Sequence, residues 1–382
     1  SRGYLGRQVI NELLEEHSRS TCSSSSSSKN KSEILCLVRE KNVDDEQRYW
    51  DDVHSGDNDN VCLKVMPYDM LDGGKTISQA LEYTFQNDVD VDADADVDIE
   101  CCVYHIASIF TPTEDHCQMA LDNVKGTEDL MNAVVQMKNN VIDNDNNDNN
   151  IRVVVTSSTA AVRGPNQTPQ NGKYYTHEDW NTASEHGRNW GHSYQWSKAQ
   201  SERIAWDIAN EHDIPMTSLA PSFIFGPPNT SDGSDNSSSS YSIKIINSWI
   251  MGEAPVQSRL CVDIRDVARA HVLAGTLPTA TTAGQRIIVS SEARISSEAA
   301  AEEFRRIAKE CGFDKEAEEL IRPDTDFDGG AIKIGDKEVD AEGRLKDILG
   351  LVCRPAEITM ADMARKLFEM QKAKAEAKTN SR

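Results

Sequence analysis

A tyrosine and a lysine four residues apart could form an acid–base pair in this chain. Tyr194 and Lys198 lie in the run G-H-S-Y-Q-W-S-K, residues 191–198, and side chains at i and i+4 share one face of a helix. An ammonium beside a phenol favours the phenolate and lowers the phenol pKa from its ordinary value near ~10. A contact between two exposed helix residues would have the same spacing, so the surrounding sequence has to distinguish the two interpretations.

A hydroxyl cluster upstream supports the catalytic interpretation. Residues 151–156, I-R-V-V-V-T, are apolar and β-branched and predict a buried parallel strand that is followed by Ser157 and Ser158. In open α/β sheets the ligand crevice lies at the carboxyl ends of the strands. We therefore expect Ser158 to act with Tyr194 and Lys198. The alternative is that these hydroxyls only cap the next helix.

The N-terminal residues predict a phosphate-binding turn. Gly3 and Gly6 enclose Tyr4 and Leu5, and helical apolar spacing continues over residues 4–17. A glycine-rich turn that opens a helix lets backbone N–H groups and the helix dipole meet a pyrophosphate. The first glycine of such a turn and the strand before it do not occur in the sequence, so we expect the chain to be truncated at its N-terminus.

These motifs together resemble the extended short-chain dehydrogenase/reductase superfamily, also called the NAD-dependent epimerase/dehydratase superfamily. Within it the pattern is similar to the branch of dihydroflavonol reductase, cinnamoyl-CoA reductase and methylglyoxal reductase. The resemblance runs from Gly3 to about Leu367. The further motifs that carry it are V-Y-H-I-A-S (103–108), D-N-V-K-G-T (122–127), S-L-A-P-S-F-I-F-G-P-P (218–228), C-V-D-I-R-D-V-A-R-A-H (261–271) and L-G-L-V-C-R-P-A-E (349–357).

The resemblance implies a role for each matching position. Lys198 would hold the nicotinamide ribose as well as act on Tyr194, and Asn123 would assist the hydrogen-bond network of the active site. The other positions that the resemblance places at the cofactor are Gly3, Tyr4, Leu5, Gly6, Asp69 with Met70, Ala107, Ser108 and Pro221. For Asp69 the alternative is an ordinary helix cap.

Charge indicates which dinucleotide is bound. The run E-I-L-C-L-V-R-E-K, residues 33–41, predicts a strand whose last residues face the adenosine ribose. An acidic residue there would bind the 2′-hydroxyl of NAD, whereas Arg39 with Lys41 suits a 2′-phosphate. NADPH is therefore expected, although Glu40 is adjacent and a strand-end arginine can also be merely solvated.

Composition limits the other classes. The chain has 382 residues, a net charge of −23 and nine cysteines without C-x-x-C spacing. An acidic chain lacks the basic face that nucleic acids need, no stretch approaches a membrane span, and buried reduced thiols suit a cytoplasmic location without a metal site. We expect a small-molecule substrate and a monomer or a homodimer.

The coarse organisation predicts an α/β fold. Residues 1–225 should form a Rossmann-type doubly wound parallel sheet, and residues 226–382 mainly a smaller C-terminal α/β substrate lobe. Predicted helices cover 4–17, 75–86, 119–138, 192–211, 243–251, 265–275, 296–311 and 360–376, and predicted strands cover 34–39, 61–66, 101–107, 151–156 and 215–225. Serine-, aspartate- or asparagine-rich surface inserts are expected near 18–32, 88–98, 139–150 and 229–240.

The motif set favours an NADPH-dependent reductase of an aldehyde or ketone, with Tyr194 as proton donor. Trp190 and Trp196 flank the tyrosine and suit an aromatic or short aliphatic carbonyl compound, although core packing explains them equally well. Two alternatives remain. One is a nucleotide-sugar epimerase or dehydratase with bound NAD, and the other is a non-catalytic NADP-binding scaffold.

Overall fold

The strands follow the parallel arrangement that the sequence predicts. A computed structural model of the protein describes residues 3–23, 32–53, 61–86, 100–142, 150–229, 240–326 and 332–380. Its strands are β1 (Ser32–Val38), β2 (Val61–Pro67), β3 (Glu100–His105), β4 (Asn150–Thr156), β5 (Met216–Pro221), β6 (Phe223–Phe225), β7 (Cys261–Asp263) and β8 (Gln285–Val289). They form a β1-β2 pair, a four-stranded sheet in the order β3-β4-β5-β8, and a β6-β7 pair, all parallel.

Helices alternate with these strands, which confirms the α/β class. They are α1 (Tyr4–Ser23), α2 (Val43–Val53), α3 (Lys75–Gln86), α4 (His116–Ile142), α5 (Thr159–Val162), α6 (Trp190–Glu211), α7 (Tyr241–Ile250), α8 (Ile264–Thr276), α9 (Thr279–Thr282), α10 (Ser297–Cys311), α11 (Glu342–Leu349) and α12 (Ala356–Asn380). Each predicted helix overlaps one of them. The prediction missed α2, although three acidic residues in its first turn and the buried Trp50 mark an amphipathic helix.

The four-stranded sheet is covered on both faces. Along β4 the side chains alternate: Val154 belongs to a core that α1, α8 and α11 cover, whereas Val153 and Val155 belong to a core that α3, α4 and α6 cover. Both faces are therefore apolar, which explains the β-branched run V-V-V-T at residues 153–156 of β4. This is the doubly wound arrangement that the sequence predicts.

The single strand predicted over 215–225 is wrong. The chain leaves the central sheet after Pro221, where Ser222 donates its backbone N–H to Val289 O at 3.2 Å, and then forms β6, which pairs with β7. Proline has no N–H to continue the ladder, so a change of sheet is favoured at this position.

A second core lies beyond the central sheet. It is built by α7, α10 and α12 around β6 and β7, with Phe225, Trp249, Phe304 and Phe368 buried in it. Parts of the same chain segment belong to the central sheet. β8 pairs with β5, and Leu345 of α11 packs into the first core.

The polar inserts fall largely outside the described residues, which omit 24–31, 87–99, 143–149 and 230–239. The insert limits at 18 and 139 were placed too early, because α1 continues to Ser23 and α4 to Ile142. In the described part of the chain, no helix is long and apolar enough to cross a membrane.

Candidate active site

The start of α6 is fixed by a side-chain cap. Asn189 accepts a hydrogen bond from the backbone N–H of His192 at 2.9 Å and so satisfies one free donor of the first turn. The Trp190 indole N–H also donates to Thr111 O at 3.1 Å, which ties the helix start to the loop after β3. Tyr194 and Lys198 follow within the next two turns, on a helix that packs against α4 and β5.

Lys198 faces the end of β4 as the spacing predicts. The residue is 7% exposed, and its ammonium donates to Thr156 O at 2.8 Å, at the last residue of the strand. Ser157 and Ser158 continue directly from this strand end, and Ser158 Oγ also accepts from Ala160 N at 3.1 Å as the cap of α5. Ser158 therefore caps α5, which was the alternative interpretation of this serine. It also interacts with Tyr194.

Tyr194 and Ser158 meet at this strand end. Burial raises the pKa of the Tyr194 phenol, and a hydrogen bond with the Ser158 hydroxyl opposes that rise. Lys198 was expected to lower this pKa, but in the structure its ammonium is held by Thr156 and the phenol pKa lies above its ordinary value. Tyr194 is therefore fully protonated at neutral pH, as a proton donor must be.

Burial also sets the charge state of Lys198. It lowers the pKa of the ammonium to about 8, while the Glu202 carboxylate raises it. His105, at the end of β3, has its pKa lowered to about 3 by burial and by the Lys198 charge. Lys198 is therefore a cation beside a neutral imidazole at neutral pH.

Asn123 organises the loop that borders the site. Its amide accepts from Ile109 N at 2.7 Å and donates to Ile109 O at 3.1 Å, and it reaches Ser108 Oγ and Ser197 Oγ at 3.4 Å. The side chain is 3% exposed. It thus fixes the loop after β3 against α6.

We predict that Asn123→Ala destabilises the fold by about 1–3 kcal/mol, because it leaves half-buried backbone groups of Ile109 without their Asn123 partner. Urea unfolding measures this loss. Gln118→Ala is the matched control, since Gln118 lies on the same helix and only reaches the exposed Asp122. Equal free energies of unfolding for the two variants would contradict the proposal that Asn123 holds the loop after β3.

Aromatic rings surround Tyr194. Phe110 lies 4.5 Å from the Tyr194 ring and 5.0 Å from Tyr241 between ring centroids, and Trp190 stacks on Tyr194 at 5.9 Å. Trp196, which was expected to flank the tyrosine, instead contacts His186 at 4.8 Å. Helical geometry explains the difference, since residue 196 lies about 200° around the helix from residue 194.

The N-terminal positions divide into backbone and side-chain roles. The Tyr4 hydroxyl donates to Gly226 O at 2.5 Å, and Leu5 and Gly6 are buried. The side chains of Tyr4 and Leu5 therefore belong to the core, and only backbone N–H groups at the start of α1 remain for a phosphate. Open space surrounds Gly3, where an added Cβ would meet nothing within 4 Å.

The ends of β1 and β2 come together. Tyr68 N donates to Val38 O at 2.6 Å, which sets Arg39 beside the turn that carries Asp69 and Met70. Arg39 and Lys41 are exposed. Asp69 accepts from Leu71 N at 2.9 Å in a local turn, so the helix-cap alternative for Asp69 is wrong.

Asp72 is the residue that caps α3, through Lys75 N and Thr76 N. Met70 packs against Gly126 of α4, where any larger side chain would overlap it. The D-N-V-K-G-T motif thus lets α4 approach this turn closely.

The remaining predicted cofactor positions differ in exposure. Ala107 is exposed, Ser108 is half-buried and Pro221 is buried at the end of β5. Three residues near the site were not predicted from the sequence: Phe110, Tyr241 and the buried Glu202. Glu202 carried a signal, since it follows Lys198 by one further helical turn. Within the described residues, no group of three potential metal ligands comes together.

Comparison with known proteins places the chain in a family. Residues 1–264 match the NAD-binding family model described as Male sterility protein. Cinnamoyl-CoA reductase 1 of Arabidopsis thaliana is 31% identical over 185 residues, which are 47% of this chain and 47% of that protein. The NADPH-dependent methylglyoxal reductase GRE2 of Saccharomyces cerevisiae is 27% identical over 206 residues, 51% of this chain and 57% of that protein.

The chain spans about half the length of the curated relatives it matches. A solved structure of Gre2 from Candida albicans in complex with NADPH has a TM-score of 0.69 and 21% identity, and covers 96% of each chain. That likeness shows the fold. The chain therefore belongs to the NAD-binding family described as Male sterility protein, within the extended short-chain dehydrogenase/reductase superfamily that its motifs predict.

Proposed function

We propose that the protein is an NADPH-dependent reductase that converts an aldehyde or ketone to the alcohol. The observation that carries the proposal is the Lys198 ammonium held 2.8 Å from Thr156 O, at the strand end that Ser157 and Ser158 continue, on the same helix as Tyr194. Named reductases among the relatives support the same reaction class.

Tyr194 would donate a proton to the carbonyl oxygen of the substrate as the alcohol forms. Ser158 would hydrogen-bond the same oxygen and stabilise the negative charge that develops there. Lys198 would favour the phenolate that Tyr194 leaves behind, which lowers the cost of the proton transfer. NADPH supplies the hydride when it is bound.

The donor set fits a phosphorylated dinucleotide. Arg39 and Lys41 are exposed cations at the end of β1, and the start of α1 offers backbone N–H groups with open space at Gly3. The Lys198 ammonium has three N–H donors, and within the described residues its one hydrogen bond is to Thr156. Two donors thus remain for the hydroxyls of a ribose.

The aromatic rings around Tyr194 favour an apolar carbonyl compound. The rings beside the phenol are those of Phe110, Trp190 and Tyr241. None of these side chains carries a charge that could pair with a charged substrate. We propose aromatic or branched aliphatic aldehydes and ketones as the class.

We expect Arg39→Ala to raise the KM for NADPH by roughly 10- to 100-fold, because one charge-assisted contact to the 2′-phosphate contributes about 1.5–3 kcal/mol. The KM for NADH should stay the same, since NADH has no 2′-phosphate. Steady-state kinetics with both cofactors measures the effect. Arg48→Ala is the control, because Arg48 is an exposed cation of α2 paired with Asp45. An equal change for NADH and NADPH would contradict the role of Arg39.

The direct test is NADPH oxidation, followed by absorbance, over a panel of apolar aldehydes, diketones and dihydroflavonols. Turnover of at least one carbonyl compound is expected. Measurable NADPH binding without oxidation by any carbonyl would favour the scaffold alternative. Co-purified NAD with activity on a UDP-sugar would favour the epimerase alternative instead.

A further inference from the structure

A buried carboxylate lies one helical turn beyond Lys198. Glu202 is 1% exposed and accepts four hydrogen bonds: from Ser157 Oγ at 2.7 Å, from Ser218 Oγ at 2.6 Å, and from Arg286 at 2.8 and 3.0 Å. Burial opposes its ionisation, but Arg286 and the two hydroxyls hold its pKa below the usual range. Glu202 is therefore a buried anion whose four hydrogen bonds occupy both carboxylate oxygens.

Arg286 extends this contact to the segment between Ser158 and α6. Its guanidinium, on β8, donates to His177 O at 2.7 Å and to Asp179 O at 2.6 Å, and it lies 3.8 Å from the centre of the Trp180 ring. The pair thus joins α6, β4, β5 and β8 to one loop. An ion pair of this kind is costly to bury, so its presence calls for an explanation other than stability.

The network touches the candidate catalytic residues at two points. Ser157, which donates to Glu202, is the immediate neighbour of Ser158. Lys198 precedes Glu202 by four residues on α6, so the ammonium and the carboxylate share one helix face. Among the described residues, the other titratable groups near Lys198 are Tyr194 on its own helix, His105 on β3 and His271 on α8, and burial keeps all three neutral. Glu202 is thus the negative charge that acts on Lys198.

We propose that Glu202 is a positioning residue for the reaction. Its carboxylate fixes the strand end that carries Ser158, and its charge keeps the buried Lys198 protonated through neutral pH. This inference rests on the proposed function for its catalytic meaning. Its electrostatic part concerns Lys198 alone and holds whatever the substrate is.

The test compares the pH profile of kcat/KM for wild-type protein and Glu202→Gln. Loss of the carboxylate removes the attraction that favours the charged ammonium, so the Lys198 pKa falls and the alkaline limb moves to lower pH by at least ~1 unit. A merely structural role would lower activity at every pH without moving the limb. An unmoved limb would therefore overturn the proposal.

Conservative variants separate charge from geometry. Glu202→Asp keeps the charge and should keep the limb in place. Ser157→Ala should lower kcat without moving the alkaline limb of the pH profile. It removes the hydrogen bond between the strand end and Glu202, while the carboxylate stays charged. Thr217→Val is the matched control, since Thr217 is a buried residue of β5 whose hydroxyl donates to Thr282 O outside this network, and it should change neither quantity.

Two further experiments cover a single variant that does not fold and a protein whose substrate is unknown. If Glu202→Gln does not fold because Arg286 is left unpaired, the double variant E202Q/R286Q removes both charges, and the same acid shift is expected of it. NMR titration of the isotope-labelled Lys198 side chain across pH reports the lysine pKa without any substrate. An inactive wild-type protein would refute the proposed function, whereas an unchanged Lys198 titration in the variant would refute this inference.

Discussion

Replacing Tyr194 by phenylalanine should lower kcat for carbonyl reduction by at least about a hundredfold, the usual contribution of a positioned general acid. The variant loses only the hydroxyl, so the ring contacts with Phe110 and Trp190 remain. Because burial keeps the phenol protonated well above neutral pH, the wild-type protein has its proton donor loaded throughout the physiological range. Single-turnover kinetics with bound NADPH isolates this step from product release.

Binding of NADPH should survive this change, because none of the groups proposed to hold its phosphates lies on α6. Fluorescence titration with NADPH provides the measurement. Tyr83→Phe is the matched control, since it removes a phenol whose hydroxyl contacts Glu33 at the exposed edge of α3 and β1. A Tyr194→Phe variant with near-normal kcat would eliminate the tyrosine as proton donor. A variant that loses NADPH binding and activity together would point to a structural role instead.

Much of this site could be predicted because its residues lie on regular elements. The period of α6 sets Tyr194 and Lys198 on one face, and the β-branched run of β4 predicts both the buried strand and the hydroxyls at its carboxyl end. Apart from α2 and the short α5, the order of elements from α1 to β5 follows from the same periodicities. These features depend on local sequence, so one chain is enough to derive them.

The remainder depends on contacts between distant parts of the chain. Arg286 lies 84 positions after Glu202, and nothing in the run Q-R-I-I-V predicts that its arginine turns inward to a carboxylate on α6. Phe110 and Tyr241 also meet, across a still longer separation in the chain. The charge environment also escaped prediction: spacing suggested that Lys198 lowers the Tyr194 pKa, but in the folded protein the ammonium is held by Thr156 and burial raises the phenol pKa.

Lys198 carries a cost in stability that its function would explain. Its pKa is about 8 in the folded protein and about 10.4 in an unfolded chain. Between these values the unfolded state binds more protons, so stability rises with pH and the buried ammonium is unfavourable at pH 7. The difference between the two pKa values corresponds to a loss in the free energy of unfolding of at most about 3 kcal/mol. Sites that keep such a group commonly trade stability for activity.

Lys198→Met should therefore be more stable than the wild-type protein and almost inactive. We expect a gain of about 1–2 kcal/mol at pH 7, because removal of the buried charge outweighs the lost hydrogen bond to Thr156. The gain should shrink as pH rises from 8 towards 10.5, where lysine is neutral in both states. Urea unfolding at pH 7 and pH 10 measures both quantities, and kcat should fall by about a hundredfold or more.

Lys372→Met is the control for this comparison, because Lys372 is exposed on α12 and pays no burial cost. It should change neither stability nor kcat. If Lys198→Met were less stable than the wild-type protein at pH 7, the ammonium would be a net stabilising partner of Glu202 rather than a buried charge retained for chemistry. If the gain persisted unchanged at pH 10, better packing of the methionine would explain it, and the titration of Lys198 would have no part in the effect.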